Sequence, residues 1–163
     1  MAIVGYMGSG KTTLGRLLAR AMNSNLVDLD HAIEQRAGKT IPEIFADHGE
    51  QTFRAMEHEA LLEALHGETP CLVACGGGVV LRQDNRTLLR DATTIFLRED
   101  TDVLYRRTRG SGRPLRAASR EEFEARYAER LPLYREVADF EVQVDGRQPS
   151  LVTEEVLGCL SRR

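Results

Sequence analysis

Residues 5–12 read Gly-Tyr-Met-Gly-Ser-Gly-Lys-Thr, a G-x4-G-K-[ST] string set between a short β-branched run and a leucine-rich helical pattern. That spacing predicts a strand–loop–helix unit. Its glycines turn successive backbone N–H groups toward one point, and the helix N-terminus adds positive potential there. Gly8, Ser9, Gly10, Lys11, Thr12 and Thr13 are the expected phosphate-binding residues. Lys11 reaches the β- and γ-phosphates, and the Thr12 hydroxyl is placed to ligate a divalent cation. The bland alternative is a glycine turn followed by a lysine in the first turn of a helix. A chance match arises in about one such chain per hundred at average residue frequencies, and placement between strand and helix lowers that further. Lys11 and Lys39 are the only lysines of the chain, so a lysine inside this loop is hard to dismiss as filler.

The rest of the 163-residue sequence alternates short apolar strands with longer helical patterns. Strands are expected over 1–4, 26–28, 71–75 and 93–97, with an alternating edge strand of Phe140, Val142 and Val144. Helices are expected over 11–22, where Leu14, Leu17, Leu18 and Ala21 form a stripe, and across 31–66 with breaks at Gly38 and Gly49. Further helices fall at 83–90, 100–108 and 150–161. A long helix opens on the capping box Ser119-Arg-Glu-Glu122, and Pro132 is expected to kink or end it. Continuous apolar strands alternating with helices imply an α/β fold, a parallel sheet covered on both faces. Ligands of such sheets bind beyond the carboxyl ends of the strands. The first strand is short: about four residues precede Gly5, fewer than a central strand usually holds.

Composition excludes several alternatives. The net charge of −3 argues against nucleic acid or an anionic membrane as the main partner. No apolar run approaches the ~20 residues of a membrane span. The N-terminus lacks the charged start and cleavage site of a signal peptide. Three cysteines, Cys71, Cys75 and Cys159, have no metal-site spacing and read as thiols in a reducing cytoplasm. Neither Asn-Lys-x-Asp nor Asp-x-x-Gly occurs, so a regulatory GTPase is excluded and a small kinase is indicated.

Candidates for the acceptor side follow. In Leu26-Val-Asp-Leu-Asp30, strand alternation puts Asp28 and Asp30 on one side, where one carboxylate serves a divalent cation and the other an acceptor hydroxyl. Asp30 as a mere helix N-cap is the competing reading. Arg54 adjoins a buried stripe of Phe53, Met56, Ala60, Leu61 and Ala64; it is either an i,i+4 partner of Glu50 or a fork for a substrate carboxylate. Gly76, Gly77 and Gly78 remove every side chain after a buried strand, so a ligand can approach bare backbone. Arg130 falls in an aromatic stripe of Phe123, Tyr127 and Tyr134. It caps carbonyls, stacks on the tyrosines or faces an anion. Arg113, in the glycine- and arginine-rich run 107–115, is placed either to close over phosphates or to stay solvated.

Together these strings resemble shikimate kinase in its bacterial single-domain form, over essentially the whole chain. The matching segments are GYMGSGKTT (5–13), DLD (28–30), GE-x2-FR-x2-E (49–57), GGG (76–78), RPL (113–115) and R-x-PLY (130–134). The resemblance implies a P-loop NTPase fold like that of nucleoside monophosphate kinases, with a five-stranded parallel sheet flanked by helices. It implies one kinase domain over 1–163, with a substrate-binding segment near 31–60 and a lid near 109–118. The implied reaction is ATP- and Mg²⁺-dependent phosphorylation of the shikimate 3-hydroxyl, in the route to chorismate and aromatic amino acids, by a cytoplasmic monomer. Asp30 then meets the accepting hydroxyl; Arg54 and Arg130 hold the carboxylate with Gly76, Gly77 and Gly78. Thr12 and Asp28 serve Mg²⁺, Lys11 and Arg113 the transferring phosphoryl, and Arg107, Arg147 and Pro149 the adenine. The runner-up is another small-metabolite kinase, such as a gluconate-type enzyme.

Overall fold

The structure, a computed structural model, describes residues 1–108 and 119–162. Five strands form one sheet: β1 (Ala2–Val4), β2 (Asn25–Asp28), β3 (Cys71–Ala74), β4 (Thr94–Arg98) and β5 (Phe140–Gln143). Their order is β2-β3-β1-β4-β5 and every pairing is parallel. β1, three residues long and fully buried, lies at the centre, and β5 is an edge as its alternation predicts.

The helices are α1 (Lys11–Ala21), α2 (Leu29–Ala37), α3 (Ile41–His66), α4 (Gln83–Asp91), α5 (Thr101–Thr108), α6 (Arg120–Val137) and α7 (Pro149–Leu160). A 3-10 turn spans Val79–Leu81. Strand periodicity divides the core in two. Ala2, Val4, Val73 and Phe96 face one cluster that α2, α3, α4 and α6 cover; Ile3, Leu72, Ile95 and Leu97 face the other, covered by α1 and α7. Each fully buried leucine, such as Leu18 or Leu61, stabilises the fold by about 1.5–3 kcal/mol relative to exposure.

Three expectations need correction. The buried stripe of α1 is Leu14, Gly15, Leu18 and Ala19, with Ala21 exposed and Leu17 half-buried, because the sheet meets the helix one position further round. Pro132 does not end α6, which continues to Val137. Burial of Tyr134 and Val137 beyond the proline outweighs one lost backbone bond, and Pro132 itself faces solvent. Strand alternation does not align Asp28 with Asp30: β2 ends at Asp28, which N-caps α2 by accepting from the His31 N–H, and Asp30 sits in the first turn.

Gly38 and Gly49 do interrupt the 31–66 region. Gly38 closes α2 at φ 63°, and Gly49, at φ 76° and ψ 172°, bends α3. The bend sets the direction of the segment that carries Arg54. Among the described residues, no helix is long and apolar enough to cross a membrane.

Candidate active site

The loop after β1 uses glycine where no side chain fits. A Cβ on Gly5 would lie 2.7 Å from the Leu97 carbonyl oxygen, and Gly10 enters α1 at φ 92°. Gly10 supplies no capping side chain and the first turn of α1 holds no acidic residue, so the helix leaves its first N–H groups to an anion. Lys11 Nζ donates to the carbonyls of Gly5 and Tyr6, both at 2.9 Å, which curls the lysine over the loop.

Gly8, Ser9, Gly10, Lys11, Thr12 and Thr13 line a cavity of about 410 Å³ beyond the carboxyl ends of the strands. Asp28, Asp30, Cys75 and Gly77 line it at one side, Arg107, Arg147 and Pro149 at the other. The Thr12 hydroxyl donates to Asp28 Oδ2 at 2.7 Å. A hydroxyl and a carboxylate joined at a phosphate cradle are hard oxygen donors of the type that Mg²⁺ uses beside substrate phosphates. The described residues hold no cluster of three or more His, Cys, Asp or Glu that would form an all-protein metal cage. Asp28 therefore combines two jobs, capping α2 and facing Thr12. Burial pushes the Cys75 thiol well up, which leaves it an inert wall of the cavity. A larger opening of about 600 Å³ between β2, α2 and α3 holds none of the expected residues, so the donor set rather than volume identifies the site.

The triple glycine is the hub of the acceptor side. Arg130 Nη1 and the Tyr134 hydroxyl both donate to the Gly77 carbonyl, at 3.2 and 2.5 Å. The guanidinium of Arg54 lies against Gly78, where a Cβ would come within 2.4 Å of Nη1 and Nη2. A Cβ on Gly76 would lie 2.8 Å from both Asp30 Oδ1 and Glu57 Oε1. Gly76 and Gly78 thus admit an aspartate, a glutamate and one arginine around the loop, while Gly77 passes close to the Met7 N–H and offers its carbonyl to Arg130. Arg54, Gly76, Gly78 and Arg130 flank the cavity rather than line it, and Gly77 is common to both groups.

The ion-pair reading of Arg54 holds, with a second partner. It pairs with Glu50 at 3.2 Å along the helix, and more closely with Glu57 at 2.6 Å. Glu57 is 1% exposed and its Oε1 has no hydrogen-bond partner among the described residues. Burial raises the Glu57 pKa, opposed by the Arg54 charge. Arg130 caps a carbonyl and also stacks, but on the ring of Tyr6 at 5.3 Å rather than on the tyrosines of its own helix. Tyr6 in turn packs edge-on against Phe123 and Tyr127, which ties α6 to the phosphate loop.

At the other end Arg107 donates to the Gly8 carbonyl at 3.1 Å, and Arg147 pairs with Glu155 at 2.6 Å. Arg113 and the lid expected over 109–118 lie outside the described residues.

Glu57 and Tyr134 acquire a place in the site that sequence reasoning did not give them. For Glu57 a signal existed: it falls one turn after Phe53 on the buried stripe, and a buried charge needs a partner. For Tyr134 the stripe was visible, but the carbonyl it meets is 57 residues away in the chain.

Comparison with known proteins agrees with this geometry. The family model described as shikimate kinase matches residues 7–161. A shikimate kinase of Aromatoleum aromaticum is 47% identical, over 90% of this chain and 84% of its own length. One of Marinomonas sp. is 40% identical over 98% and 91%. The solved structure of an Acinetobacter baumannii shikimate kinase in complex with shikimate superposes with a TM-score of 0.92 at 33% identity, covering 99% of this chain and 92% of that one.

Proposed function

This chain belongs to the shikimate kinase family, and we propose that its residues carry the γ-phosphoryl of ATP to the 3-hydroxyl of shikimate, giving shikimate 3-phosphate and ADP. The whole of 1–163 acts as one kinase unit. The observation that carries the reading is Gly77: it lines the phosphate cavity, and its carbonyl is held by Arg130 and Tyr134. The cradle for the donor and the ring of groups for the acceptor share that one residue.

Phosphoryl transfer asks the protein for positioning and charge neutralisation rather than covalent help. The loop N–H groups and the α1 N-terminus hold the phosphates, and Lys11 leaves its loop carbonyls for the β- and γ-phosphate oxygens. Thr12 and Asp28 would hold Mg²⁺, whose chemistry is to offset charge on the phosphate oxygens. Arg54 and Arg130 fix the shikimate carboxylate, and Asp30 orients the 3-hydroxyl and accepts its proton. The new bond joins that oxygen to the γ-phosphorus as the bond to the β,γ-bridging oxygen breaks, and the bridging pair of electrons leaves with ADP. Arg113 offsets charge on the transferring group. Arg107, Arg147 and Pro149 flank the adenine.

A coupled ADP-release assay with shikimate, quinate and gluconate tests the reading. Shikimate should give the highest kcat/KM. Arg54→Ala should raise KM for shikimate far more than it lowers kcat, because losing a partner of a buried carboxylate costs about 2–5 kcal/mol. Preference for gluconate, or unchanged shikimate kinetics in Arg54→Ala, would overturn it.

A further inference from the structure

Glu99 stands one residue beyond β4, behind Arg107 of the cavity lining, and its side chain is fully buried. A buried carboxylate is costly unless it is paired and hydrogen-bonded. Here it is both, and the partners of one oxygen belong to the nucleotide end. Oε2 forms an ion pair with Arg107 Nη1 at 3.2 Å and receives a long contact from the Gly146 N–H at 3.4 Å. Oε1 accepts from the Asp100 N–H at 3.1 Å, which fixes the carboxylate plane at the start of α5.

Those partners come from two different elements beside the opening. Arg107 comes from α5 and also donates to Gly8 in the phosphate loop. Gly146 belongs to the turn between β5 and α7. There Asp145 and Gly146 have φ of 39° and 66°, and the Arg147 N–H closes the turn onto the Val144 carbonyl at 2.7 Å. Arg147 and Pro149 follow immediately. The turn is left-handed at both central residues, which suits an Asp-Gly pair, and the Gly146 N–H is the point at which Glu99 reaches it.

We propose that Glu99 is a positioning residue for nucleotide binding: its carboxylate joins Arg107 on α5 to the 144–147 turn and so sets the width and orientation of the slot that takes the nucleoside of ATP. The proposal rests on the nucleotide site described above. With Nη1 engaged by both Gly8 and Glu99, the Arg107 guanidinium is held as a plane rather than swinging as a free cation, and a plane can stack on a purine. Without Glu99 the plane is held only from the phosphate loop.

Steady-state kinetics on the full chain test this. Glu99→Ala should raise KM for ATP by about tenfold, with kcat and KM for shikimate within about twofold of the parent, since the group touches neither the acceptor nor the reacting phosphoryl. Glu99→Gln, close in shape and still able to accept from Asp100, should give a smaller rise; it carries the test if the alanine variant folds poorly. In an Arg107→Ala background, Glu99→Ala should raise KM for ATP by less than it does in the parent. Equal losses in kcat and in both KM values, or additive effects in the double variant, would reduce Glu99 to a structural role and overturn the proposal. An Arg107→Ala variant with unchanged KM for ATP would overturn the nucleotide site itself. A rise in Arg107→Ala without one in Glu99→Ala would overturn only the positioning by Glu99.

Discussion

Arg54 Nη1 donates to Glu57 Oε2 at 2.6 Å, while Oε1 of the same carboxylate is buried beside Gly76 with no hydrogen-bond partner among the described residues. The pair fixes the guanidinium against Gly78, so Glu57 holds Arg54 ready for a carboxylate. Glu57→Gln should raise KM for shikimate with little change in KM for ATP, measured by the coupled assay.

The same carboxylate makes stability depend on pH. Burial raises the Glu57 pKa above the ordinary 4.5, so the folded state binds this proton more tightly than the unfolded state. The contribution of Glu57 to stability is therefore full below pH 4.5 and fades as pH rises through the folded value. Urea melts of the parent and Glu57→Gln from about pH 4 to about pH 8 should show the difference moving against the parent as pH rises. A difference that moves the other way would mean that the Arg54 charge outweighs burial.

Gly78→Ala places a methyl group within 2.4 Å of both terminal nitrogens of Arg54. The guanidinium must swing away, and the carboxylate fork with it. KM for shikimate should rise by about tenfold or more while nucleotide binding persists, since the phosphate loop is untouched. ATP binding measured by calorimetry separates this from misfolding.

Asp28 both caps α2 and accepts from Thr12. Asparagine caps a helix about as well as aspartate, so Asp28→Asn keeps the fold and removes the charge. The Mg²⁺ concentration that gives half-maximal rate should rise about tenfold or more, with little change in melting temperature.

Pro132 lies exposed inside α6 and denies the helix one backbone bond. Pro132→Ala should stabilise the fold by about 1–3 kcal/mol, the helix gain less what proline saves in unfolded-chain entropy. A melting temperature higher by about 2–4 °C per kcal/mol, with unchanged kinetics, is the expected result.

The P-loop, the parallel sheet and the edge strand were legible because each rests on a local pattern: fixed spacing, apolar strand runs, alternation at Phe140, Val142 and Val144. Asp30, Arg54 and Arg130 were legible as candidates for another reason, since a charge beside an apolar stripe raises the question of its partner. What could not be read was who meets whom. Asp28 rather than Asp30 caps α2 because the strand ends two residues before alternation would bring the carboxylates together. Arg130 lies on Tyr6 because the sheet brings the phosphate loop under α6, a contact with no trace in the local sequence. Pro132 misleads as a helix end for the same reason: packing at Tyr134 and Val137 is a tertiary term that outweighs a local one.

The most direct test is a crystal structure of this chain with shikimate and ADP. The account predicts the carboxylate within hydrogen-bond distance of both Arg54 and Arg130, and the 3-hydroxyl against Asp30 and facing the phosphate cavity. A ring seated elsewhere, or a carboxylate turned away from both guanidinium groups, would contradict it.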